Sequence, residues 1–136
     1  MEPVQWSEKF SVGVRELDQQ HQQLFKLVNR LISATGTIST HSETISDILM
    51  EMTRYAQTHF KTEERLMKVY GYPGLGEQKI QHHDFRKKTT DLAKATTFGV
   101  EQIPEALLEY LADWLTHHIL EDDMAYRSFF KDKGVE

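Results

Sequence analysis

The chain has no cysteine, only three prolines, and more acidic than basic residues, 21 against 16. Without cysteine there can be no disulfide, no thiolate metal site, no cysteine-held iron–sulfur cluster and no cysteine nucleophile. A net charge of −5, with Lys and Arg scattered rather than clustered, gives no attraction for a phosphate backbone, so nucleic-acid binding is not expected. No apolar run approaches the ~20 residues of a membrane span, and the polar N-terminus lacks a secretory pattern. The expected location is cytoplasmic, which suits a cysteine-free chain in a reducing compartment. What the chain has in quantity is histidine, seven residues in 136, several beside aromatics or carboxylates.

The prolines are Pro3, Pro73 and Pro104, and the long stretches between them read as helix. The length fits a single domain over residues 1–136, with residues 1–16 as an N-terminal arm and 17–136 as a helical bundle. Trp6, Phe10, Val12 and Val14 alternate loosely, which predicts an extended arm laid over the core. Asp18 is an expected N-cap for a first helix carrying Leu24, Leu27, Val28, Leu31 and Ile32 on one stripe. Thr40 with Glu43 has the capping-box spacing for a second helix running to the turn-forming "GYPGLG". A third helix is expected from about Glu77 to near Gly99. Pro104 suits the first turn of a fourth, through Leu111, Trp114, Leu115, His118 and Ile119. The fold class is therefore all-α, an antiparallel up-down-up-down four-helix bundle.

Each helix brings an imidazole toward its apolar stripe. His21 lies one turn before Leu24 and Phe25. His59 and Glu63 are four apart and share a face. His82 stands three before Phe85, with His83 about 100° further round. His118 follows Trp114 by four, with His117 turned aside. A lone core histidine is ordinarily just hydrogen-bonded, but each buried neutral imidazole needs its nitrogens satisfied, and four from four helices share one economical solution in a metal centre. Histidine and carboxylate donors without sulfur suit iron, zinc or manganese. Several imidazoles with carboxylates able to bridge point to two ions. The Glu-x-x-His pattern of ferritin-like sites and the His-Glu-x-x-His of zincins are both missing.

In "GVRELDQQHQQLF", "HFKTEERLMKVYGYP", "HHDF" and "WLTHHILEDDMAY" the chain resembles the hemerythrins, specifically bacterial hemerythrin-like domains, over essentially its whole length. The resemblance implies two iron ions with an oxo or hydroxo bridge, and dioxygen or a related small ligand as partner. By position, His21 and His59 would hold the dioxygen-binding iron, His82 and His118 the other, with Glu63 and Asp123 bridging. His118 and Asp123 are five apart, about 140° off one face of an ideal helix, so the helix must loosen there for Asp123 to serve; Asp122 is the second choice. Leu24, Phe60, Trp114, Ile119 and Leu120 would wall the oxygen pocket.

The family's fifth histidine falls four residues before His82, where this chain has Gln78. Gln78 could coordinate weakly through oxygen, water could fill the place, or Glu77 could reach in. The implied function is an oxygen or redox sensor, or oxygen handling, with easier autoxidation than at a complete site. An oxidase- or peroxidase-type enzyme and a metal-free helical interaction module are the alternatives. Similar domains occur alone or linked covalently to signalling domains. His41, His83 and His117 match no family position and are expected at the surface, while Glu64, Glu121 and Asp122 are expected to be solvated or to hold imidazole N–H groups.

Overall fold

The computed structural model describes residues 3–35, 42–97 and 105–136. Four helical rods form the expected bundle: α1 (Arg15–Thr35), α2 (Ser42–Tyr70), α3 (Leu75–Thr97), and a fourth rod of α4 (Glu105–His117), a π-helical turn (His118–Asp123) and α5 (Met124–Asp132). There is no strand among the described residues. Thr40, Gly99, Pro104 and His41 lie outside them.

Asp18 is not the N-cap of α1, which begins at Arg15 with the Asp18 N–H already donating to Val14 O at 2.9 Å. Its carboxylate instead accepts from Ser11 Oγ at 2.6 Å and from the Val12 N–H at 2.8 Å, turning the arm onto the helix. The arm is not uniformly extended either: Glu8–Phe10 form a 3-10 turn that brings Phe10 into an aromatic cluster with Trp6 and Phe25. Asn29 pins the arm's start by exchanging two 2.8 Å hydrogen bonds with the Val4 backbone. The end of α2 is a Schellman motif. Gly71 takes φ 75°, and the N–H groups of Tyr72 and Gly71 return to Met67 O and Lys68 O.

The heptad-like stripes bury two apolar clusters rather than one. The larger contains Leu24, Phe60, Phe85, Leu115 and Ile119; the smaller contains Val12, Val14, Leu17, Met67, Tyr126 and Phe130. On every rod a buried polar residue falls between them: His21 between Leu17 and Leu24, Glu63 between Phe60 and Met67, Gln78 and His82 between Leu75 and Phe85, Asp123 between Ile119 and Tyr126, with His59 and His118 on the edge of the larger cluster. A polar layer thus crosses the bundle, sealed by hydrocarbon above and below. Burying such groups is costly unless each finds a partner.

Candidate metal centre

The layer is built from pairs that share a helical face. His59 and Glu63 on α2, and Gln78 and His82 on α3, are each four apart, and all are buried. His21 enters from α1 at 0% exposure. On the fourth rod the π turn, with its wider i→i+5 spacing, brings His118 and Asp123 together, so that His118 Nε2 lies 3.1 Å from Asp123 Oδ1. Asp123 is fully buried, whereas Asp122 stands at the rim with its carboxylate 3.4 Å from His118 Nδ1, the outer nitrogen.

Outer partners fix which imidazole nitrogen faces inward. His59 Nδ1 lies 2.6 Å from Gln20 Oε1, an acceptor whose own amide nitrogen is directed to Thr62 Oγ1. His118 Nδ1 lies 2.6 Å from Gln81 Oε1, and His82 Nδ1 lies 2.9 Å from Glu64 Oε2. In all three, Nδ1 therefore carries a proton and Nε2 faces the layer, where the neutral rings of His59 and His82 present a lone pair. The inward nitrogens crowd one another and the carboxylates: His82 Nε2 and His118 Nε2 are 3.1 Å apart, His59 Nε2 is 2.7 Å from Glu63 Oε1, and His21 Nε2 is 3.1 Å from Asp123 Oδ2. His21 Nδ1 and Nε2, Glu63 Oε1, Gln78 Oε1 and Asp123 Oδ2 have no hydrogen-bond partner. Imidazole nitrogens and carboxylate oxygens converging in one buried layer, with several left unpartnered, are what a cationic centre would satisfy.

Electrostatics point the same way. Burial holds the His59 imidazole down to about 3, and burial with the neighbouring His118 holds His82 down to about 2, so both stay neutral. Burial, then the charge of Asp123, pushes Glu63 up to about 8. Burial opposes charge on His118, but Asp123 and hydrogen bonds to Asp122 and Asp123 outweigh it and raise its pKa to about 10. Burial likewise opposes charge on Asp123, yet His118 holds that carboxyl well below its ordinary value. Without a cation, the layer must therefore keep a proton on Glu63 and another on His118.

Two groups of four converge. His21, His59, Glu63 and Asp123 bring ligand atoms within 4.8 Å of one another, and so do Glu63, His82, His118 and Asp123. Glu63 and Asp123 belong to both, which is the geometry for two ions bridged by two carboxylates.

A family profile described as "Hemerythrin HHE cation binding domain" matches residues 12–128. The chain belongs to the hemerythrin family. It is 29% identical over 125 residues to a bacteriohemerythrin of Clostridium acetobutylicum, covering 89% of this chain and 96% of that one. A myohemerythrin of Theromyzon tessulatum is 31% identical over 127 residues, covering 93% and 92%. A crystal structure of wild-type hemerythrin superposes with a TM-score of 0.85 at 27% identity, over 93% of this chain and 97% of that one. Hemerythrins bind iron and dioxygen, with the iron as a two-metal centre, and the buried donors of this chain fit such a cofactor.

Other expectations change. Glu77 is exposed and does not reach the layer; one residue before Gln78, it points about 100° away. Gln78 is buried instead, its Nε2 donating to Asp123 Oδ1 and Asp122 O, both at 3.1 Å, while its oxygen has no partner. Leu120 is 38% exposed, unlike the buried Leu24, Phe60 and Ile119. Leu24, Phe60 and Ile119 are buried, with Phe60 stacked on His82 at 3.9 Å, and half-buried Trp114 stacks on His118 at 4.6 Å. His83, His117 and Glu121 are at the surface. Sequence reading missed Gln20, Gln81 and Tyr126; buried Tyr126 donates to Glu63 Oε2 at 2.6 Å. Of these only Tyr126, three residues after Asp123 on the same rod, carried a local signal.

Among the described residues no helix is long and apolar enough to cross a membrane.

Proposed function

We propose that His21, His59, Glu63, His82, His118 and Asp123 hold a diiron centre that binds dioxygen, and that the chain serves as an oxygen or redox sensor or in oxygen handling. The observation that carries this reading is the pair of overlapping four-residue groups sharing Glu63 and Asp123. When bound, the iron pair supplies the electrons that reversible dioxygen binding needs. The chain supplies the rest. Leu24, Phe60, Ile119 and Trp114 keep water from the layer, and the Nδ1 partners hold the Nε2 atoms of His59, His82 and His118 inward. Tyr126 keeps its proton, since burial and then the Asp123 and Glu63 carboxylates raise its pKa well above the ordinary value, so it remains a donor to Glu63.

Sensing is favoured over durable carriage by Gln78. Its amide nitrogen is engaged with Asp123 and the Asp122 carbonyl, and that nitrogen has no basic lone pair. The His82/His118 half therefore has one imidazole fewer than the family pattern and is the more open to exchange. We read residues 1–136 as one such domain, its arm fastened by Asn29 and Asp18, in a reducing compartment where iron stays ferrous.

Metal analysis with visible spectra under anaerobic, aerobic and oxidised conditions tests this. About two irons per chain with oxo-bridge charge-transfer bands is the expected result for this donor set. A chain that takes up no ferrous iron anaerobically is instead a metal-free helical module. Sustained turnover of a reductant with peroxide would make it an enzyme.

A further inference from the structure

The outer partners of the four imidazoles are not equivalent in charge. On the His21/His59 half, His59 Nδ1 meets the neutral amide of Gln20, and His21 Nδ1 meets no hydrogen-bond acceptor. On the other half, His82 Nδ1 lies 2.9 Å from the Glu64 carboxylate, and His118 Nδ1 has the Asp122 carboxylate at 3.4 Å beside the Gln81 amide at 2.6 Å. Both outer anions thus sit on the half where Gln78 stands in place of an imidazole.

A carboxylate that accepts an imidazole N–H draws positive charge from the ring and leaves more electron density on the opposite nitrogen, making it a stronger donor to a cation. An amide oxygen orients the ring equally well but supplies no net charge. Of the two anions Glu64 is the closer and the better shielded, at 21% side-chain exposure against 37% for Asp122. Weaker solvent screening makes its charge the more effective at the ring.

We propose that Glu64, with a smaller part from Asp122, is a positioning residue that compensates for the missing imidazole: its charge strengthens His82 as a donor and so retains the second ion. The inference rests on the diiron reading above. It predicts that the need for Glu64 is specific to that half and diminishes when the missing ligand is restored.

Glu64→Gln separates charge from orientation, because a glutamine oxygen can accept the same Nδ1–H. The full chain is loaded with ferrous iron anaerobically and challenged with graded bipyridine. Iron per chain is read by metal analysis, and the two ferrous environments by Mössbauer spectroscopy. E64Q should surrender one ion at roughly 10–100-fold lower chelator than wild type, with one of the two quadrupole doublets shifted and the other unmoved. Combined with Gln78→His, the same change should cost only a few-fold. Unaltered melting of the metal-free E64Q chain shows that packing is intact. If E64Q retains both ions like wild type, loses both alike, or is no less harmful beside Q78H, compensation is wrong while the diiron reading stands. A wild-type chain that takes up no iron overturns both.

Discussion

His118 and Asp123 are separated by five residues and nevertheless meet at 3.1 Å, because the fourth rod widens into a π turn over just that interval. An uninterrupted α-helix would place them about 140° apart and would favour Asp122. Asp123→Asn should therefore reduce retained iron from about two per chain to one or none, whereas Asp122→Asn should keep both with affinity weakened about tenfold. Metal analysis of the two variants, side by side, decides between the carboxylates. Equal iron loss in both would show that the π turn does not select its ligand.

Restoring the imidazole should prolong the oxygenated state. In Gln78→His the His82/His118 half gains a basic nitrogen, and the lifetime of the oxygenated form should rise by about tenfold, the scale of effect typical for support of a metal centre. Visible absorption followed in air measures it. A lifetime no longer than wild type would remove the basis for preferring a sensor to a carrier.

Tyr126→Phe deletes the 2.6 Å hydrogen bond to Glu63 while keeping the ring that packs with Phe130. The buried carboxyl then lacks a donor, which should cost about 1–3 kcal/mol of folding stability. Chemical denaturation with an unchanged slope would report it. A loss below ~0.5 kcal/mol would mean that the hydroxyl is readily replaced.

The metal-free chain should be most stable near the ordinary histidine pKa of 6.5. His59 and His82, held down to about 3 and about 2, refuse protons that the unfolded chain takes up below 6.5, so stability falls with acid. Glu63 at about 8 and His118 at about 10 act in the opposite sense. Above 6.5 the folded chain holds protons that the unfolded chain releases, and stability declines through pH 8 toward 10. Between 4.5 and 6.5 Glu63 opposes the two histidines, which outweigh it. Denaturation midpoints across this range, taken with and without iron, should show the alkaline decline only in the metal-free chain. A midpoint still climbing at pH 8 would contradict it.

The inward imidazoles were legible because helical spacing alone ties His21 to Leu24, His59 to Glu63 and His118 to Trp114. The loosening needed at Asp123 was legible as a conflict between spacing and role, and the π turn resolves it. The outer partners were not legible: Gln20 and His59 are 39 residues apart, Gln81 and His118 are 37 apart, and no local pattern links residues on different rods. Leu120 and Asp18 misled for local reasons. Apolar character made Leu120 look like a wall although it is exposed, and Asp18 has the chemistry of a cap but spends it on the arm.

The histidine holders follow the order of the chain. Gln20 on α1 steadies His59 on α2, Glu64 on α2 steadies His82 on α3, and Gln81 on α3 steadies His118 on the fourth rod. With synthesis running from the N-terminus, the group that orients the imidazole of each of the three later rods lies on the rod made before it. The socket can thus be assembled progressively, and it closes when the last segment delivers His118 and Asp123.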